Sequence, residues 1–265
     1  MEWSIDLNAD LGEGMPDDEA LMAYISSANI ACGGHAGDAD SMRRAVDSCL
    51  DADSMRRAVD SCLQHQVAIG AHPSFPDREG FGRQHMQLSA TQLTEVLMEQ
   101  LSALQKVCEA AGTRLHHVKP HGALYNLSAA DEAVATTIAA AVHQFDASLW
   151  LVGLAGSVST AVAEAQELRT IHEFFADRSY QPDGSLTPRT QPGALIEDCH
   201  TAVAQALRIV QHSELVAANG TVLRRPMPAG STASICLHGD GPHALLFASE
   251  VFNAFQMAGI RVAAP

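Results

Sequence analysis

Residues 3–14 read Trp-Ser-Ile-Asp-Leu-Asn-Ala-Asp-Leu-Gly-Glu-Gly, a run of strand length that gives way to polar residues and glycine. Further short apolar runs recur along the chain, and segments of helical period lie between most of them. Strands that alternate with helices favour a parallel sheet. We predict eight strands: Trp3–Leu7, Asn29–Cys32, Val67–Ala71, His116–Val118, Leu149–Leu154, Ile171–Phe175, Ser234–Leu237 and Ile260–Val262.

Polar residues arrive at the points where these predicted strands end. The polar stretches are residues 8–13, 33–38, 72–78, 119–122, 176–180 and 238–241. In a closed parallel barrel the loops after the carboxyl ends of the strands form the active face, so this distribution favours a (β/α) TIM-like barrel over an open doubly wound sheet. We predict one barrel domain that covers residues 1–265.

Local signals place helices and turns between the strands. Ser89 and Gln92 are spaced as a capping box, and Gly112 marks the end of the helix that they begin. Ser128, three residues before Asp131, indicates the start of another helix. The pair Asn219-Gly220, between β-compatible residues, predicts a tight hairpin that decorates the main repeat.

One segment of the chain is an exact tandem duplication. Residues 38–50 recur without change as residues 51–63. Thirteen residues advance a helix by about 220° beyond three turns, so the two copies cannot turn their apolar side chains to the same surface. We expect one copy to occupy a helix position and the surplus copy to loop outward. A helix lengthened by about 20 Å is the alternative.

The composition describes a globular enzyme rather than a nucleic-acid or membrane protein. Hydrophobic residues make up 47% of the 265 residues, and the formal net charge of −15 repels phosphate backbones and anionic lipid surfaces. The chain begins without a basic and apolar leader, and no uncharged apolar run reaches the roughly 18 residues of a membrane span, so we expect a cytoplasmic protein. The six cysteines include no C-x-x-C pair, and we expect buried thiols.

Several histidines and carboxylates stand where they could do chemistry. An imidazole near a strand end can move a proton or bind a metal ion, although a satisfied core histidine is the alternative. Asp10 and Glu13 follow the first strand and could serve as base, metal ligand or helix cap. We expect Asp10, His35 and His72 to be able to bind a divalent metal, on barrel geometry alone. The histidines concerned are His35, His72, His117, His121 and His238.

Lys119 is one of only two lysines and lies between His117 and His121. A cation at a barrel mouth can bind a carboxylate or a phosphoryl group, or it can form an ion pair that fixes the loop. The same two interpretations apply to Asp177-Arg178 and to His238 with Asp240. The standard phosphate loop, the dinucleotide-binding glycine pattern and the serine-hydrolase elbow are absent from the sequence.

Six of these stretches, in the same order, resemble the family of 5-oxoprolinase A subunits, which is also called LamB/YcsF. The matching segments are residues 5–13, 27–38, 70–78, 117–126, 175–178 and 236–240, and together they span nearly the whole chain. The sequence departs from the family pattern at the 13-residue insertion and at Gly34, where we expect a bulkier residue.

The resemblance implies a distorted barrel of the glycoside hydrolase/deacetylase type and a hydrolase that opens 5-oxoproline (pyroglutamate) to L-glutamate with ATP hydrolysis. It also implies partner subunits B and C. On this interpretation Asp10 or a histidine activates water, and Lys119 and His121 stabilise the developing oxyanion or phosphate. The catalytic set would be Asp10, His35, His72, Lys119 and His121. Substrate or nucleotide would contact Asn8, Glu13, His117, Asp177, Arg178, His238 and Asp240.

Two other functions are compatible with the same residues. The barrel and its carboxylate–histidine set would permit a stand-alone, metal-dependent carbohydrate deacetylase or amidase, which would work without ATP. The strand-end segments could instead bind a partner or ligand in a non-catalytic scaffold subunit, and substitutions at Asp10, Lys119 and His121 would then have little effect.

Overall fold

The computed structural model describes residues 3–36, 44–225, 232–238 and 243–265. Ten strands lie in these ranges: β1 Trp3–Leu11, β2 Ser27–Ala31, β3 Ala68–His72, β4 His117–Val118, β5 Trp150–Leu154, β6 Arg169–Phe175, β7 Glu214–Val216, β8 Val222–Arg224, β9 Thr232–Leu237 and β10 Ile260–Val262. The helices of the same ranges are α1 Asp18–Leu21, α2 Arg44–His65, α3 Ala90–Ala110, α4 Gly122–Ser128, α5 Glu132–Asp146, α6 Val158–Ala165, α7 Cys199–His212 and α8 Ala244–Met257.

Seven of the strands close into a parallel barrel in the order β1-β2-β3-β4-β5-β6-β9, with β9 pairing back onto β1. All eight predicted apolar runs are strands, but the eighth does not enter the barrel. Instead β10 pairs with residues 3–5 of β1, whereas residues 6–9 of β1 pair with β9 and residues 8–11 pair with β2. The predicted TIM-like barrel is therefore confirmed in a distorted, seven-stranded form.

Strand β1 extends four residues beyond its predicted end, so Asn8 and Asp10 are strand residues rather than loop residues. Side chains alternate along a strand. Ile5 and the alternate residues after it pack in the apolar core beneath the helices, whereas Asp6, Asn8 and Asp10 contact polar groups of other barrel strands. The interior of the barrel is accordingly polar.

The predicted turn and cap signals are confirmed in most places. Ser89 and Gln92 form a reciprocal capping box at the start of α3. The second helix start was misplaced, because Asp131 caps α5 by accepting from two backbone N–H groups while Ser128 ends α4. β7 and β8 form the predicted hairpin, but the loop between them covers residues 217–221 and is longer than a two-residue turn.

Helix α2 contains 22 residues, which cover the second copy of the duplication and residues 44–50 of the first. The expectation that the surplus copy loops outward is therefore wrong for residues 44–50, and the lengthened helix is the better description. Residues 38–43 lie outside the described part of the chain. The second copy supplies the packing, because its Met55, Val59 and Cys62 are buried in the core.

No helix of the described ranges combines the length and apolarity that a membrane span requires. The five cysteines whose side chains are described are unpaired thiols.

Candidate functional site

A cavity of about 650 Å³ opens at the carboxyl ends of the barrel strands. The carboxyl ends of β1, β3, β4, β5, β6 and β9, with the loops after them, contribute its wall. Five of the six predicted polar stretches are among them; residues 33–36 do not line the cavity, and the loop after β5 was not predicted to do so. The wall also includes residues of the long loop 183–190 and of the residues that follow β8. Its ionisable and phenolic side chains are Asp10, Glu13, His72, Arg83, Lys119, His121, Tyr125, Arg178, Asp183, Arg189, Arg225 and His238.

Lys119 lies on the floor of this cavity and is 2% exposed. Its ammonium group is 2.8 Å from Asp10 Oδ1 and 2.8 Å from Glu173 Oε1, and it also donates to Cys236 Sγ at 3.2 Å. Burial alone would lower the pKa of Lys119, but these neighbours raise it well above its ordinary value. Lys119 is therefore a fixed cation held between two carboxylates.

Asp10 joins Lys119 to the histidines of the site. Its second oxygen is 3.3 Å from His72 Nε2. Burial by itself would raise the pKa of Asp10, whereas His72 and Lys119 hold it well below the usual range. Asp10 is thus ionised at neutral pH and is a weak proton acceptor.

Asn8 and His117, which were both predicted to bind substrate or nucleotide, do not line the cavity. Asn8 precedes Asp10 by two positions and His117 precedes Lys119 by two positions, and this spacing places them one layer deeper in the barrel. Asn8 accepts from Lys119 Nζ and donates to Glu173, while His117 is 2.8 Å from Asn29 Oδ1. These residues support the floor of the cavity from below rather than contacting a ligand.

Four side chains at the mouth of β1, β2, β3 and β4 bring their ligand atoms together. One ligand atom from each of Glu13, His35, His72 and His121 lies within 4.8 Å of the others. The rings of His35 and His121 are stacked with a centroid separation of 3.6 Å. Burial lowers the pKa of His35 and of His121 well below the ordinary value, so both are neutral at neutral pH.

Close backbone approach makes this cluster possible. Gly82 has a φ of 63°, and a Cβ there would lie 2.8 Å from His35 Cβ and 2.9 Å from His121 Cδ2. Gly34 is also required by its surroundings, because a Cβ there would lie 2.4 Å from Gln100 Oε1 and 2.5 Å from Ser74 Oγ. Gly34 therefore fits the space that these two side chains leave, and the expectation that the family has a bulkier residue at this position stays a prediction.

The opposite wall contains Arg178 and His238. Arg178 donates to the carbonyl oxygens of Thr187 and Ala194, so much of its hydrogen-bonding capacity holds the loop that follows β6. His238 Nδ1 is 2.9 Å from Asp177 Oδ2, and the His238 backbone N–H donates to the same oxygen. Asp177 acts here as a partner of His238 and does not line the cavity. Asp240 lies outside the described residues.

Sequence reasoning missed Glu173 and Tyr125. Glu173 is fully buried at the centre of β6 and forms the second ion pair of Lys119. A charged residue in the middle of an otherwise apolar strand was the signal available for it. Tyr125 lines the cavity from α4, and burial together with Glu173 raises its pKa well above the ordinary value.

Comparison with known proteins gives a consistent result over the full chain. Residues 5–265 match the model of the LamB/YcsF family. Relatives named as the A subunit of 5-oxoprolinase include one from Haemophilus influenzae strain PittEE, 47% identical over 260 residues (98% of this chain, 99% of the relative). Another, from Methylococcus capsulatus, is 49% identical over 269 residues (100% of this chain, 96% of the relative), and one from Bacillus cytotoxicus is 44% identical over 267 residues (99% of each).

A solved structure shares the same architecture. The lactam utilization protein from Thermus thermophilus is 37% identical, superposes with a TM-score of 0.85, and covers 99% of this chain and 100% of its own. Together with the match over residues 5–265, this places the protein by fold and by sequence: the chain belongs to the LamB/YcsF family.

Proposed function

We propose that this chain is the A subunit of a 5-oxoprolinase, which opens the lactam ring of 5-oxoproline to give L-glutamate with hydrolysis of ATP. The observation that carries the proposal is the match, over almost the full length of both chains and at 44–49% identity, to relatives named for this subunit. The cavity at the carboxyl end of the barrel supports it, because the wall offers the groups that amide hydrolysis requires.

Lys119 is the group best suited to stabilise negative charge in this reaction. Attack of water on a lactam carbonyl places negative charge on the carbonyl oxygen, and a fixed cation in a water-poor site stabilises such charge strongly. Lys119 remains protonated because Asp10 and Glu173 raise its pKa. It therefore contributes electrostatic stabilisation and does not take part in proton transfer.

The neutral histidines are better suited than Asp10 to activate water. His121 Nε2 lies 2.9 Å from the carbonyl oxygen of Phe81, so its proton sits on that nitrogen and Nδ1 carries a lone pair. With no N–H directed into the cavity, His121 offers a lone pair on Nδ1 that can accept a proton or bind a cation, and this does not suit the oxyanion-stabilising role expected from sequence. Asp10, whose pKa is low, holds Lys119 in place instead.

The wall between α6 and the loop after β6 suits an anionic group. Arg225 lines the cavity there, as do Gly156, Ser157 and Val158 at the amino terminus of α6. Helix termini of this kind and arginine side chains bind phosphate and carboxylate groups. These residues would hold the phosphates of ATP or the carboxylate of 5-oxoproline. ATP would supply a phosphoryl group to the lactam carbonyl oxygen, which would make the carbonyl carbon more reactive towards water; the ring C–N bond would then break and its nitrogen would take up a proton.

The relatives are named as one subunit of an assembly, and we therefore propose that activity requires the partner subunits B and C. The test is release of glutamate from 5-oxoproline, measured for this chain alone and with B and C, each with and without ATP. The proposal expects release only when both partners and ATP are present. Release by the chain alone without ATP, or no release from a folded complete complex, would contradict it.

A further inference from the structure

The imidazoles of His72 and His121 face each other in the cavity wall. In each ring, the nitrogen that points away from the other ring is within hydrogen-bond distance of a backbone carbonyl oxygen. His72 Nδ1 is 2.7 Å from the carbonyl oxygen of Lys119. His121 Nε2 is 2.9 Å from the carbonyl oxygen of Phe81. Because a carbonyl oxygen can only accept, each of these nitrogens must carry its ring's hydrogen.

This assignment leaves the near nitrogens without hydrogens when both rings are neutral. His72 Nε2 and His121 Nδ1 are 2.9 Å apart, so two lone pairs point at the same place. Glu13 Oε1, which is also an acceptor, is 3.4 Å from His121 Nδ1. Three acceptors therefore meet around one point, and Asp10 Oδ2, 3.3 Å from His72 Nε2, is a fourth beside them. A positive charge between these acceptors is needed to make the contacts favourable.

The arrangement has the characteristics of a metal site. Zn²⁺ binds histidine nitrogen at about 2.0–2.1 Å in tetrahedral geometry, which separates neighbouring ligand atoms by about 3.3 Å. The separations of 2.9 Å between His72 Nε2 and His121 Nδ1 and of 3.4 Å between His121 Nδ1 and Glu13 Oε1 bracket this value. Metal-binding histidines almost always donate their other nitrogen to a carbonyl or carboxylate, and both rings do so here.

His35 takes a different place from the three residues that face the cavity. Its Nε2 is 3.0 Å from Glu13 Oε1, but His35 does not belong to the cavity wall, whereas Glu13, His72 and His121 do. His35 therefore lies behind Glu13 and orients the carboxylate. Two ligating histidines, one glutamate and a position open to the cavity are the arrangement of a catalytic zinc site.

We propose that His72 Nε2, His121 Nδ1 and Glu13 Oε1 bind one divalent metal ion of the zinc class, with a remaining coordination position directed into the cavity. This set replaces the Asp10, His35 and His72 set expected from sequence. Asp10 belongs to the other group of potential ligand atoms among the described residues, with Cys236 and His238. Lys119 already donates to Asp10 and Cys236, so that group holds a cation of the protein itself.

A proton is the competing occupant. If His72 were an imidazolium, it could donate to His121 Nδ1 and to Asp10 Oδ2, and the cluster would be satisfied without metal. Metal binding and the 5-oxoprolinase reaction are separate claims, because the first is measured on this chain without substrate, ATP or partner subunits.

The test is metal binding by the purified full chain after dialysis against a chelator. We expect one equivalent of Zn²⁺ in isothermal titration calorimetry, and Co²⁺ in the same site should give the intense visible absorption of a four-coordinate ion. A wild-type chain that takes up no Zn²⁺, or whose Co²⁺ spectrum is that of the hydrated ion, overturns the proposal and leaves a proton as the occupant.

Matched variants locate the ion. His121→Gln and Glu13→Gln should weaken Zn²⁺ binding by at least roughly 100-fold, and His35→Gln by about 10–100-fold because it removes only the orienting hydrogen bond. His172→Gln is the control, since His172 is also buried beside a carboxylate, Glu164, but lies outside the cavity. Circular dichroism confirms that each variant is folded. Wild-type affinity in folded His121→Gln would place the ion elsewhere and overturn the assignment.

Discussion

At the residue scale, the main feature of the site is a single buried lysine shared by two carboxylates. Lys119 is 2.8 Å from oxygens of both Asp10 and Glu173. Removing one partner of a buried ion pair leaves an uncompensated charge in a region of low polarity. The lysine therefore contributes to stability as well as to the electrostatics of the cavity.

We predict that Lys119→Met lowers the free energy of unfolding by about 3–5 kcal/mol, because Asp10 and Glu173 lose their shared cation. Adding Glu173→Gln should recover part of this loss, since one buried charge is then removed. Urea denaturation of the two variants measures the difference. If the double variant were less stable than Lys119→Met, the ion-pair account of the cavity floor would be wrong. Neither variant should support turnover in the complete complex.

The stability of the protein should depend on pH through Asp18. Asp18 accepts from the backbone N–H of Gly12 with one oxygen, and its other oxygen is buried without a hydrogen-bond partner. Burial raises the pKa of Asp18 from 3.8 to about 6. In the folded protein the ionised form is therefore disfavoured, and wild-type stability falls relative to an uncharged residue as the pH rises from about 4 to about 6.

The variant Asp18→Asn keeps an acceptor for Gly12 but cannot ionise. The variant should be more stable than the wild type by about 1 kcal/mol at pH 7. The full shift in the pKa of Asp18 corresponds to about 3 kcal/mol, but we expect less because Asp18 is partly exposed to solvent. The two proteins should have similar stability at pH 3.5. Thermal unfolding across this pH range is the measurement, and a difference that stays constant from pH 3.5 to pH 7 would refute the burial argument.

Most of the residues that meet in the cavity could be predicted from the sequence, but the side chains that each of them contacts could not. Positions after strands predicted Asp10, Glu13, His72, Lys119 and His121. Glu13 was expected to bind substrate, and its contacts with His35 and His121 were not foreseen because they depend on the loop conformation after β1. Distances between side chains of different strands are set by barrel closure and are not encoded in local spacing.

At the element scale, the type and order of the strands could be predicted, and so could most of their carboxyl ends, but the end of β1 could not. Buried strands of a parallel sheet read as short apolar runs, and polar residues were taken as their ends. In this barrel the interior is polar, so Asn8 and Asp10 continue β1 and Glu173 lies within β6. The rule that polar residues end a strand fails where polar side chains point into the barrel.

The duplication lengthens helix α2, and a variant that lacks one copy should show what the added residues contribute to stability. Deleting residues 38–50 gives the same sequence as deleting residues 51–63, because the copies are identical. Met55, Val59 and Cys62 supply the buried contacts, so we predict that the shortened chain keeps its free energy of unfolding within about 0.5 kcal/mol. Its helical circular dichroism should fall, because α2 begins at Arg44 within the first copy.

The control for the deletion is Val59→Ala in the full-length chain. Val59 is fully buried, and its truncation should cost more than the deletion does, at about 1–3 kcal/mol. A deletion more destabilising than Val59→Ala would mean that the first copy contributes packing that the chain needs.

At the scale of the whole molecule, positively charged side chains are concentrated around the cavity. The chain has a net charge of −15, with 16 lysines and arginines in total. Five of these cations, Arg83, Lys119, Arg178, Arg189 and Arg225, line this cavity. In an acidic protein this concentration favours an anionic ligand and agrees with a substrate that carries a carboxylate. Barrel class and the location of this cavity were predictable from the order of the strands.

The most direct test of the account is glutamate release from 5-oxoproline by the complex of this chain with subunits B and C, with Asp10→Asn compared with the wild type. Asp10 is one of the two carboxylates that hold Lys119, so we predict that the substitution lowers turnover by roughly 100-fold or more. His172→Gln, outside the cavity, should retain turnover within about twofold of the wild type. Wild-type turnover by Asp10→Asn would contradict the claim that the reaction takes place in this cavity.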